Sequence, residues 1–231
     1  MDLKAILFDA GNTLVFIDPH VVLPVFRDHG AVVGERTFWE AEFEARTALA
    51  KRVEGGATGT EAQLWNQYFL DLFRGCGVPE ESLDPLGSRV RQIHRERHLW
   101  TYVLPSTLPA LGELRRQGYR LAVISNADGR MREVIRAGGL QGLVEFVVDS
   151  EEEGVEKPDP EIFLRACARL GLAPGACLYV GDLYPVDVLG AQGAGLQAVL
   201  LDPLDRLDYP VDRIPDVAAL PDYLARLSTV G

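Results

Sequence analysis

The stretch "AILFDAGNTLVF", residues 5–16, decides how the rest of the chain is read. Four apolar residues run into an acid, Asp9, and the chain then breaks into Ala-Gly-Asn-Thr. A short, unbroken apolar run bounded by turn residues is the pattern of a strand buried on both faces, as in a parallel sheet. The reading places that strand over 3–8. An aspartate just past it lies where open parallel sheets bind ligands, outside the carboxyl ends of the strands.

Working outward, residues 19–98 contain no convincing strand and carry helical spacing. Phe38, Trp39, Phe43, Ala45, Leu49 and Ala50 mark one helix. Trp65, Phe69, Leu72 and Phe73 mark a second, with Thr60 and Gln63 as its capping box and Gly75 and Gly77 at its end. A third covers about 86–98. After Pro105 the rhythm changes. Helices near 107–117, 129–137, 160–170 and 186–194 alternate with strands over 119–125, 145–150, 177–181 and 197–202, and a last helix lies near 217–228. Alternation of this kind implies right-handed βαβ units and a Rossmann-like, doubly wound parallel sheet. The expected organisation is an α/β core from residues 1–16 and 101–231, with an all-helical cap, residues 17–100, inserted after the first strand.

Composition narrows the function. With 231 residues, 47% hydrophobic and 25% charged, the chain can build a sizeable core. Lys+Arg 23 against Asp+Glu 34 gives a net charge of −11, which argues against a general affinity for nucleic acid or anionic membrane. Cys76, Cys167 and Cys177 are scattered, with no C-x-x-C, which fits a reducing compartment and no thiolate metal site. No signal peptide or bilayer span is read, so the expected location is the cytoplasm. His94 and His98 stand at i, i+4, but H-E-x-x-H is absent, so "HRERH" reads as a solvated helix end.

Polar groups gather at the predicted strand ends. Asp9 follows the first strand, and Ser125-Asn126 follow "YRLAVI". Lys157, one of only three lysines, lies in "GVEKPDP" before a helix with Asp159 as N-cap and Pro160 at its first position. Asp182 follows "CLYVG", with Asp187 five residues on. Carboxylates without thiolates suit a hard cation such as Mg²⁺, and a cation with a lysine and a hydroxyl suits a phosphoryl group.

"ILFDAGNTL", "VISNADG", "EKPDPEIF" and "YVGDLYPVDVLGAQGAG" together resemble the four motifs of the haloacid dehalogenase-like (HAD) hydrolase superfamily, in order and across the whole chain. The resemblance implies an aspartyl-phosphate formed on Asp9, a phosphate-holding hydroxyl at Ser125 with Asn126 as companion through backbone or side chain, and a charge-neutralising Lys157. It implies Mg²⁺ held by Asp9, by the main-chain carbonyl of Gly11 and by Asp182. Asp187 would bind the metal through water or orient Lys157. A small phosphorylated metabolite is the implied substrate, with no nucleic-acid or membrane partner. The cap would close over the site about hinges near 15–19 and 99–105. Oligomeric state is left open.

One departure stands out. The phosphatase pattern is D-x-D-G-T, and this chain has D-A-G-N-T. Gly11 can still offer its carbonyl, but not the carboxyl group that normally protonates the leaving oxygen and later activates water. Asn12 replaces the usual glycine and tolerates a left-handed backbone. Four readings follow: a Mg²⁺-dependent phosphatase whose leaving group needs little protonation or draws its proton elsewhere; a 2-haloacid dehalogenase, since halide leaves without a proton; a phosphonate hydrolase using the cap lysine Lys51; and a non-catalytic binding protein of this fold. The first is favoured: Asp182 and Asp187 would crowd Asp9 in a metal-free dehalogenase, "TALAKRVEG" around Lys51 does not resemble the phosphonate pattern, and a scaffold has no use for Asp9, Lys157 and Asp182 together.

Overall fold

A computed structural model describes residues 2–56 and 61–229. Thr60, half of the expected capping box, lies outside the described residues. The chain divides into two compact units, residues 1–16 with 100–231, and residues 17–99.

The first unit opens on β1 (Ala5–Phe8), every residue of which is buried. The second unit is helical: α1 (Pro19–Asp28), α2 (Glu35–Glu54), α3 (Glu61–Gly75) and α4 (Leu83–Glu96). α1 begins on Asp18, whose carboxylate accepts from His20 N, with Pro19 pre-set for the first turn. Sequence periodicity did not single this helix out, since Pro24 stands inside it. Phe26, Phe38, Phe69 and Phe73 form an aromatic core here, with Phe26 and Phe73 edge-to-face at 5.5 Å. Trp39 and Leu49 are only half-buried, and Lys51 is exposed on the last turn of α2. Glu42 and Arg46, whose charges suggest a solvated face, are instead buried; Arg46 Nε lies 3.3 Å from Glu42 Oε2, and Tyr68 OH donates to Glu42 Oε1 at 3.2 Å.

The first unit resumes with a short strand outside the main sheet (Trp100–Tyr102), then α5 (Thr107–Arg116), β2 (Arg120–Ser125), α6 (Met131–Ala137), β3 (Val147–Asp149), α7 (Ser150–Glu153), α8 (Pro160–Leu170), β4 (Cys177–Gly181), a π-helical turn (Tyr184–Val188), α9 (Leu189–Gly193), β5 (Gln197–Leu201), β6 (Arg213–Ile214) and α10 (Leu220–Thr229). Strands β1 to β6 form one sheet in the order β3-β2-β1-β4-β5-β6, and every pairing in it is parallel. β6 was not foreseen: a two-residue edge strand within a Pro- and Asp-rich stretch has too few residues to show a period. Successive side chains alternate faces. Ile6, Phe8, Leu121, Val123, Leu178 and Val180 pack against α5, α6 and α10, while Ala5, Leu7, Ala122, Ile124 and Tyr179 pack against α8 and α9. The result is a three-layer α/β/α core. The chain proceeds β1-β2-β3 one way, then crosses to place β4 on the other side of β1. That reversal opens a crevice between the ends of β1 and β4, where Asp9 and Asp182 stand.

Candidate active site

Register builds the site. Phe8 pairs with Val123 on one side and Val180 on the other, so Asp9, Ser125 and Asp182 emerge within two residues of one level. Asp9 N donates to Val180 O at 2.8 Å, which anchors the turn after β1 to β4. Lys157 reaches the same level from the loop before α8, which Asp159 caps by accepting from Glu161 N.

At the centre lies the Lys157 ammonium, buried and donating to Asp9 Oδ1 at 2.5 Å, to Asp187 Oδ1 at 2.7 Å and to Tyr179 OH at 3.0 Å. All three donors of an ammonium are thereby satisfied. Tyr179 OH in turn lies 3.2 Å from both Ile124 O and Asp187 Oδ1. Asp187 Oδ2 accepts from Asp182 N at 3.1 Å and Leu183 N at 2.9 Å. The carboxylate approaches so closely because residue 181 is glycine: a Cβ there would stand 2.4 Å from Asp187 Cγ. The π-helical turn that carries Asp187 re-aims its side chain toward Lys157, a common use of such turns.

Charge follows geometry. Burial raises the Asp9 carboxyl to about 6, Lys157 pulls it down, and Asp187 pushes it up. Burial works against the Lys157 ammonium, but Asp187 and Asp9 outweigh it and hold the amine protonated. Tyr179 is driven well above its ordinary value by burial and by Asp187, so it stays a neutral hydroxyl.

Carboxylate oxygens of Asp9, Asp182 and Asp187 can all lie within 4.8 Å of one another, and all three residues are buried. Three buried carboxylates face one buried ammonium, an excess of negative charge that burial penalises unless a cation joins it. An all-oxygen donor set of this kind fits Mg²⁺.

The remaining positions divide. Ser125 is 2% exposed at the end of β2. The side chain of Asn126, expected beside a phosphate through backbone or side chain, is committed elsewhere: Lys157 N donates to its Oδ1 at 2.8 Å, and its Nδ2 donates to Lys157 O at 2.9 Å. Gly11 is half-buried and not in the left-handed region, whereas Asn12 is, with φ 54°. Asn12 Oδ1 accepts from Trp100 Nε1 at 3.1 Å. Tyr179 and Trp100 went unnoticed in the sequence. Tyr179 sits in an apolar strand whose residues all read as core, and Trp100 is 88 residues from its partner. A tyrosine placed three residues before an acid at a strand end was the one available signal.

The family model described as haloacid dehalogenase-like hydrolase matches residues 3–195. The chain belongs to the haloacid dehalogenase-like hydrolase family. The mouse relative, haloacid dehalogenase-like hydrolase domain-containing protein 3, is 33% identical over 200 residues, 84% of this chain and 79% of the relative. Glyceraldehyde 3-phosphate phosphatase of Methanopyrus kandleri is 30% identical over 216 residues, 85% of this chain and 83% of the relative. A solved HAD-fold structure, the 2-haloacid dehalogenase of Pseudomonas syringae pv. Tomato DC3000, matches with TM-score 0.59 and 26% identity over 97% of this chain and 99% of that one. HAD-family relatives of this chain thus include enzymes named for phosphate esters and for haloacids.

Proposed function

We propose that this HAD hydrolase is a Mg²⁺-dependent phosphatase acting on a small phosphorylated metabolite through Asp9. The observation that carries the reading is the Lys157 ammonium held between Asp9 and Asp187, with Asp182 in the same carboxylate cluster. Asp9 attacks phosphorus as the nucleophile. Lys157 fixes the attacking carboxylate and offsets the charge of the incoming phosphoryl group. Ser125 donates its hydroxyl to a phosphoryl oxygen. Asp187 orients Lys157, and Asn126 sets the height of the lysine backbone. Asp9, Asp182 and the main-chain carbonyl of Gly11 would hold Mg²⁺, with Asp187 behind them. When bound, the ion supplies positive charge to the phosphoryl oxygens. Residues 17–100 serve as the substrate-selecting cap.

The phosphatase names of relatives support this reading, as does the donor set. Gly11 favours a second reading, a 2-haloacid dehalogenase, because halide departs without a proton. Against it, that chemistry needs no cation, and the buried carboxylates of Asp182 and Asp187 would then crowd the nucleophile with uncompensated charge. The test is a panel of phosphate esters, acetyl phosphate and 2-haloacids assayed with Mg²⁺ and with EDTA, using wild type and Asp9→Asn. Phosphate release that needs both Mg²⁺ and Asp9 is expected. Halide release unaffected by EDTA would replace the phosphatase reading with the second.

A further inference from the structure

A glycine at position 11 is not there for its backbone. Its φ lies outside the left-handed region, and the residue that occupies that region is Asn12. Any L-residue could adopt the conformation at 11, so the side chain is missing for a reason of space or chemistry. The space is explicit. A Cβ on Gly11 would stand 3.4 Å from Trp100 Nε1 and 3.5 Å from Trp100 Cδ1. A methyl group would just touch the ring, and a carboxymethyl group would have to turn aside or displace it. The indole is tied in place, because Nε1 donates to Asn12 Oδ1 at 3.1 Å on the same turn. That bond also commits its only N–H.

We propose that Trp100 occupies the ground where the missing acid would act. It is then a specificity-determining residue that confines the enzyme to phosphates whose leaving group departs as a stable anion, acyl phosphates above all. The inference rests on the phosphatase reading of Asp9. In the first step an Asp9 oxygen bonds to phosphorus while the P–O bond to the leaving group breaks and the electron pair departs with that oxygen. A carboxylate, the base of an acid of pKa about 4, takes that pair without a proton. An alkoxide does so poorly, and neither Gly11 nor the indole can protonate it. In the second step water attacks phosphorus, the bond to Asp9 breaks, Asp9 returns as a carboxylate, and both protons of the water stay with the phosphate product. No carboxylate at 11 draws a proton from that water, so this step is slow and the aspartyl-phosphate accumulates.

Two measurements on wild type in Mg²⁺ buffer test this. The first compares acetyl phosphate with glyceraldehyde 3-phosphate, an alkyl ester. The expected ratio of kcat/KM is on the order of 10²-fold or more in favour of acetyl phosphate, the range that positioned acid–base help spans. The second is rapid-quench release of p-nitrophenol from p-nitrophenyl phosphate, expected as a burst equal to the enzyme concentration. Variants add a structural readout. Gly11→Asp alone should gain little on the alkyl ester. Gly11→Asp with Trp100→Ala should gain at least about tenfold over it and lose the burst. Equal rates on the two wild-type substrates overturn the proposal, as does Asp9-dependent turnover without a burst or a full gain from Gly11→Asp alone. If the double variant does not fold, the wild-type substrate ratio and burst still decide. Turnover that survives Asp9→Asn instead overturns the phosphatase reading, and this proposal falls with it.

Discussion

The side-chain amide of Asn126 grips the backbone of Lys157 at both its N–H and its C=O, at 2.8 and 2.9 Å. Ser125 and Lys157 sit on different segments, and this amide is what locks the lysine loop to the end of β2. Asn126→Ala removes two half-buried hydrogen bonds, each worth about 1 kcal/mol net. Urea unfolding is expected to show a loss of about 2 kcal/mol. Asn126→Asp should be worse for activity, because a carboxylate oxygen would then face the Lys157 carbonyl. If Asn126→Asp matches wild type in kcat, the amide does not position the lysine.

Tyr179 meets Lys157, Asp187 and Ile124 O with one hydroxyl. Tyr179→Phe keeps the ring and its edge-on contact with Phe163 but leaves the third ammonium donor unsatisfied. A stability loss of about 1–2 kcal/mol is expected from denaturant melts. A drop in kcat at nearly constant KM should accompany it. Unchanged kcat would show that two carboxylates suffice to hold the lysine.

Asp9 makes the metal-free protein sensitive to pH. Its folded pKa is about 6 against an ordinary aspartate value of 3.8, so the folded state holds the proton more tightly than the unfolded chain. Stability from this group is therefore full below about pH 4 and lost as pH rises through about 6. In EDTA, replacing Asp9 with Asn should be relatively more favourable at pH 7.5 than at pH 4. Parallel urea midpoints for wild type and Asp9→Asn across that range would contradict the burial of a charged carboxylate.

Mg²⁺ should raise the melting temperature by binding the folded state alone. At a concentration about 100 times Kd the gain is roughly 2.7 kcal/mol. Asp182→Asn should abolish most of this shift while leaving the metal-free melting temperature at or above wild type, because one buried charge is removed from the cluster. A Mg²⁺ shift that survives Asp182→Asn would move the binding site elsewhere.

Glu42 and Arg46 form a buried ion pair one helical turn apart on α2, with Tyr68 on α3 as a third member. Burial raises the Glu42 carboxyl, and Arg46 and Tyr68 pull it back. Removing either charge alone leaves its partner buried and uncompensated, at a cost of about 3–5 kcal/mol. Glu42→Met with Arg46→Met should cost much less than the sum of the two singles, measured as a double-mutant cycle. Additive losses would show that the pair is not coupled.

Much of the core is legible in the sequence. Strands of a parallel sheet are apolar on both faces, so "AILF", "RLAVIS" and "CLYVG" announce themselves, and the polar residue that ends each run falls at the ligand-binding edge. The carboxyl ends of parallel strands in one sheet fall along one edge. Asp9, Ser125 and Asp182 could therefore be placed without knowing any distance. Charge on a helix was less informative, because Glu42 and Arg46 pair with each other in the interior.

What the sequence by itself determined is the alternation of strands and helices, the acids at strand ends and the missing carboxylate at Gly11, since each depends only on local pattern. The tertiary structure decided which of these groups meet. Lys157 bridges Asp9 and Asp187 across 148 and 30 residues of chain, Asn126 serves the lysine backbone, and Trp100 stands against Gly11. Such partnerships arise from strand register and loop path, which bring together side chains whose separation along the chain carries no periodic trace.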